Sequence, residues 1–89
     1  MLNYQEYIKI HKECEELSRI KNNDYGSENL KKFAQLGLIV RMSDKMDRLT
    51  NLIKSGRFPE TKNELIEDTA KDLINYATYF IMMERKCLE

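Results

Sequence analysis

The chain contains no tryptophan, one proline, three glycines, one histidine and two cysteines in 89 residues. So few chain-breaking residues exclude a fold of many short strands joined by tight turns. Two distant cysteines and one histidine make a poor zinc set. Cys14 and Cys87 therefore read as half-buried thiols in a reducing compartment. Charge of one sign is also missing: 15 basic side chains balance 15 acidic ones, and the isoelectric point is near 6.6. Proteins that coat nucleic acid neutralise many phosphates and carry a basic surplus, so extended nucleic-acid binding is not expected. No apolar run approaches the roughly 18–20 residues that span a bilayer. The opening Met-Leu-Asn-Tyr-Gln-Glu lacks the basic and apolar regions of a signal peptide. The expectation is a cytoplasmic protein without membrane contact.

Hydrophobic residues make up 42% and charged residues 34% of the chain, too apolar a mixture for a disordered tail. The length predicts one domain, over residues 1–87, with Leu88-Glu89 read as a cloning scar without a role. A chain this short buries only roughly 60–65% of its unfolded surface, so its own core is thin.

Apolar residues recur at helical spacing throughout, and no stretch alternates as a strand. The fold class predicted is all-α: a small bundle of two long helices, an N-terminal helix and a short connecting helix. A first helix is expected over about Asn3–Ile20, with Tyr7, Ile10, Cys14 and Leu17 inward, flanked by Tyr4 and His11. Lys21-Asn-Asn-Asp24-Tyr25-Gly26-Ser27 reads as a turn, with Ser27 capping a short helix over Glu28–Leu36 and Gly37 as a stop or bend. The next helix, about Leu38–Lys54, has an inner stripe of Ile39, Met42, Met46, Leu49 and Ile53. Phe58-Pro59 predicts an extended turn, and Thr61-Lys-Asn-Glu64 a capping box opening a long helix to about Lys86. Its apolar arc, Leu65, Ile66, Thr69, Ala70, Leu73, Tyr76, Ala77, Phe80 and Ile81, is wide. A helix so long and broadly apolar needs more partners than one small chain supplies, so a homodimer or higher homo-oligomer is expected to complete the bundle.

Three groups of residues carry possible chemistry. Arg41-x-x-Asp44-Lys45-x-x-Arg48 places four charges on one helix flank. Glu64-x-x-x-Asp68-x-x-x-Asp72 stacks three acids along the last helix. If these helices pack antiparallel, the basic flank of one faces the acidic flank of the other. The flanks are then either ordinary ion pairs or a partly desolvated site, because aspartates sit close to the backbone and cost more to bury than glutamates. Lys21, Asp24, Tyr25 and Gly26 form the third group: a cation, an aromatic ring and a close-approach glycine suit a phosphate and a stacked base, or simply an ordinary turn. His11 reads as a packed side chain, and Glu13, Glu15 and Glu16 as a solvated face rather than metal ligands. No Gly-rich phosphate loop or nucleophile elbow occurs.

Taken in order, Lys21-x-x-Asp24-Tyr25-Gly26, Phe33, Gly37, Arg41-x-x-Asp44-Lys45-x-x-Arg48-Leu49 and Glu67-Asp68-Thr69-x-x-Asp72-Leu73-x-x-Tyr76-Ala77 resemble the nucleotide modification associated domain 1 family. That family consists of small helical proteins common in phages and prophages. The resemblance covers about Lys21 to Ile81. It implies a nucleotide-related role, in the bacterial host cell if the chain is phage-encoded. The last helix is more loosely similar to MazG-like all-α NTP pyrophosphatases, which hold magnesium with Glu-Glu-x-x-Glu and Glu-x-x-Asp. Here Asp68-x-x-x-Asp72 has a different interval, and Glu13-x-x-Glu16 lies some fifty residues upstream.

Three functions are consistent with these residues. The first is binding of a phosphorylated nucleotide, for metabolism or modification or to sequester a signalling nucleotide. Arg41, Lys45, Arg48 and Lys21 would hold phosphates, Asp44, Asp68 and Asp72 would orient the cations or ligate Mg2+, and Tyr25 or Tyr76 would stack on the base. The second is a Mg2+-dependent nucleotide pyrophosphatase using Asp68 and Asp72. The third is a structural or regulatory helical module that binds another protein.

Overall fold

A computed structural model describes residues 1–56 and 62–88. They form α1 (Tyr4–Tyr25), α2 (Glu28–Lys31), α3 (Ala34–Ser55) and α4 (Lys62–Glu84), with no strand among the described residues. The chain is an all-α bundle. Phe58, Pro59 and Thr61 fall outside the described residues, as do the side chains of Glu64 and Leu65, and the expected turn and capping box lie there.

Asn3 starts α1: its side-chain oxygen accepts from the Gln5 and Glu6 amides at 3.1 and 3.2 Å, satisfying two of the orphan donors at the helix start. The helix does not stop at Ile20, as its Asn-Asn-Asp run suggested, but continues to Tyr25. Asparagine and aspartate disfavour helices by well under 1 kcal/mol each, and Lys21 is anchored by an ion pair to α4. Gly26 terminates α1 instead, taking φ 74° while its amide donates to the Asn22 carbonyl at 2.8 Å.

The break between the next two helices also moves. α2 ends at Lys31, and Phe33 and Ala34 both adopt positive φ (61° and 51°). Gly37 is therefore no stop: it lies buried inside the first turns of α3. Its missing side chain matters for packing, because an added Cβ would run into the Lys32 carbonyl oxygen and lie 3.1 Å from the Phe33 Cβ. Ser27 precedes α2 but makes no side-chain cap.

α3 and α4 share the most extensive interface. They run antiparallel, since Gln35 at the start of α3 donates to Phe80 O and to Glu84 near the end of α4. α3 turns Leu38, fully buried, toward this interface together with half-buried Met42, Lys45 and Leu49. Ile39, Met46 and Ile53, expected inside, are 48%, 57% and 62% exposed. Leu38 and Gln35, rather than Ile39, mark the packed side. α1 crosses α4 on another flank: Asn75 donates to Cys14 O at 3.0 Å, Ser18 and Tyr79 share a hydrogen bond, and Lys71 pairs with Glu13 at 3.0 Å. Cys14 is buried and Leu17 half-buried, but Tyr7 and Ile10 of the same stripe are exposed. His11 is exposed too, its ring 4.6 Å from that of Tyr7. No helix of the described residues is long and apolar enough to cross a membrane.

Candidate functional site

The last turns of α1, the α1–α2 turn, α2 and the middle of α3 and α4 enclose a cleft of about 310 Å3. α1 supplies Lys21 and Asn22, the turn Gly26, α2 Asn29 and Leu30, and α3 Arg41. α4 supplies Asp72, Asn75, Tyr76 and Tyr79. The α4 residues fall at i, i+3, i+4 and i+7, the spacing that keeps a stripe on one helix face.

Asp72 is the electrostatic centre. Its carboxylate, 13% exposed, accepts from Lys21 Nζ at 2.7 Å through Oδ1 and pairs with Lys45 Nζ at 3.4 Å through Oδ2. Two ammonium groups from two helices thus share one carboxylate. Partial burial by itself would lower the Lys21 pKa; the hydrogen bond to Asp72 and its negative charge outweigh this and raise it above the ordinary lysine value. Lys21 consequently stays charged through the neutral range. Arg41 hydrogen-bonds to neutral acceptors, the Asn29 backbone carbonyl at 2.7 Å and the Asn29 side-chain oxygen at 3.2 Å. Its geometry is fixed while its charge is left uncompensated by those bonds. Beside the cations, Tyr76 and Tyr79 meet nearly edge to face at 6.3 Å.

The structure thus brings Lys21, Arg41, Asp72 and Tyr76 together around one cleft, with Lys45 behind them on the second Asp72 oxygen. It does not bring in the others: Asp24, Asp44, Arg48 and Asp68 are exposed and do not line it. Tyr25 closes α1, and its side chain is outside the described residues. Sequence reasoning missed Asn22, Asn29, Asn75 and Tyr79. The interrupted apolar arc of α4 was the available signal for two of these, because Asn75 and Tyr79 continue the stripe begun by Asp72. Asn29 had no such signal.

Of the two candidate metal ligands, Asp72 is engaged by cations and Asp68 is exposed. Mg2+ takes oxygen ligands in near-octahedral order at about 2.0–2.1 Å, and both Asp72 oxygens face ammonium groups. No three His, Cys, Asp or Glu side chains converge among the described residues. A larger groove, about 550 Å3, lies on the other side of Asn75 and Tyr79, and includes Cys14, Ile74 and Met82. Its one cation, Arg19, is already held by Glu15 at 2.7 Å, so the uncompensated charge belongs to the smaller cleft. Comparison of the chain with protein-family models, curated proteins and solved structures found no match.

Proposed function

We propose that this protein binds a phosphorylated nucleotide in the cleft at the end of α1. The observation that carries this reading is the placing of Arg41, held only by the neutral Asn29, in the same cleft as Asp72, whose single carboxylate is shared by Lys21 and Lys45; cations outnumber the carboxylate beside two tyrosine rings. Phosphate oxygens take charge-assisted hydrogen bonds from the Lys21 ammonium and the Arg41 guanidinium. Asp72 holds the Lys21 ammonium at the recess, so less side-chain freedom is lost on binding. Tyr76 or Tyr79 offers the base an aromatic face. The cleft volume lies at the lower end of the range for small-ligand sites, which suits a mononucleotide.

The test is calorimetric titration with a panel of nucleoside mono-, di- and triphosphates, deoxynucleotides and cyclic nucleotides, with the unphosphorylated nucleosides as controls. Saturable binding of a phosphorylated member, weakened about tenfold or more by Lys21→Met and by Arg41→Met, is the expected outcome. Absence of binding across the panel would overturn the proposal in favour of a structural helical module. Release of monophosphate and pyrophosphate in the presence of Mg2+ would replace binding with hydrolysis.

A further inference from the structure

The side chains α3 turns away from the cleft form an ordered pattern. Leu36, Ile39, Ser43, Met46, Thr50 and Ile53 follow one another at intervals of three and four residues, and all six are exposed. The spacing 3-4-3-4-3 is that of a helix-packing seam, and its four large members are 48–67% exposed. No charged residue interrupts it. On α4, Ala77 and Ile81 are likewise exposed, Ile81 at 50%. They lie roughly 120–160° round that helix from Asn75 and Tyr79, which face α1. The α3–α4 pair is therefore covered by α1 on one side and bare on the other.

The surface area says how much covering is missing. Folded monomers of this mass expose about 5,500 Å2. This chain exposes 7141 Å2, an excess of roughly 1,600 Å2 over that scaling. Obligate homodimers bury about 1,000–2,500 Å2 from each copy, so the excess matches one such interface. The radius of gyration agrees: 14.2 Å against about 12 Å for a compact chain of this length. Only Cys14 and Leu38 are buried apolar side chains among the described residues, a core too small to stand alone. A partner needed for folding must be present whenever the chain is made, and a second copy always is. A two-fold interface sets a patch against itself. A seam carrying charge of one sign would repel its own image, while this uncharged one does not.

We infer that the bare face of the α3–α4 pair, centred on Ile39, Met46 and Ile53, docks the same face of a second copy and completes a four-helix core. This surface lies away from the nucleotide cleft and does not depend on that reading.

Sedimentation velocity of the wild-type protein at micromolar concentration should give twice 10.6 kDa; a monomer would overturn the inference. Met46→Glu should weaken self-association about a hundredfold or more. Ile8→Glu, at an exposed position of α1, should leave it unchanged. A Met46→Glu protein that dimerises as tightly as wild type would place the interface elsewhere and sink the proposal. If that variant does not fold, peroxide footprinting of the wild type decides: Met46 should oxidise far more slowly than exposed Met1, and equal rates would refute a covered seam. Ligand titration per protomer separates this test from the nucleotide one.

Discussion

Lys21 and Asp72, 51 residues apart in the chain, meet at 2.7 Å and tie the end of α1 to the middle of α4. With Lys45 on the second carboxylate oxygen, the pair fixes how three helices sit around the cleft.

This relationship gives stability a defined dependence on pH. The Lys21 pKa is raised in the folded state, so its contribution is fully present below the unfolded lysine value, about 10.4, and is lost as pH rises through the folded value. Thermal melts of the wild type should therefore fall in this alkaline window, and Asp72→Asn should flatten that fall. At neutral pH the same variant should cost about 1 kcal/mol, discounted because Lys21 is 46% exposed. An Asp72→Asn alkaline limb as steep as wild type would refute the assignment.

Gly37→Ala reverses the usual propensity rule. Alanine is the better helix former by about 1 kcal/mol, yet the new methyl would collide with the Lys32 carbonyl, a backbone atom with little freedom to move. Denaturant unfolding should show a loss of about 2 kcal/mol or more. Stabilisation would mean that α2 and α3 are not joined this closely.

The two cysteines should react very differently. Burial pushes the Cys14 thiol above its ordinary pKa against the opposing charge of Lys71, whereas Cys87 is exposed. Iodoacetamide attacks thiolate, so Cys87 should be labelled quickly at pH 8 and Cys14 only as the protein unfolds. Equal labelling in the native protein would contradict the α1–α4 packing.

Asn75→Leu tests the same interface from the other helix. It removes the hydrogen bond to Cys14 O and forces a branched side chain into a buried position. A loss of about 1–3 kcal/mol is expected by chemical denaturation, with Asn75→Asp also destabilising because a buried carboxylate replaces the amide donor. A neutral outcome for both would show that α1 is not held at this point.

Part of this molecule could be read along the chain. Helical periodicity marked every long element, and the acid–base complementarity of Lys45 and Asp72 followed from antiparallel flanks. The readings that failed did so for long-range reasons. Asn22, Asn23 and Asp24 look like a turn in isolation, but Lys21 finds its partner on α4 and the helix runs on. Gly37 looks like a break until the Lys32-Phe33 link after α2 is seen packed against it.

The sequence determined that the chain is helical, because spacing and composition act over a few residues and need no partner. Only the tertiary structure decided which stripe is buried. α3 carries apolar residues over more than one flank, and burial went to Leu38 rather than Ile39 because α4 and α2 approach from that side. Likewise, Lys21, Arg41, Asp72 and Tyr76 form one cleft because three helices cross there. Asp24, Asp44, Arg48 and Asp68 lie outside it because a rotation of about 100° per residue sends neighbours in sequence to different faces.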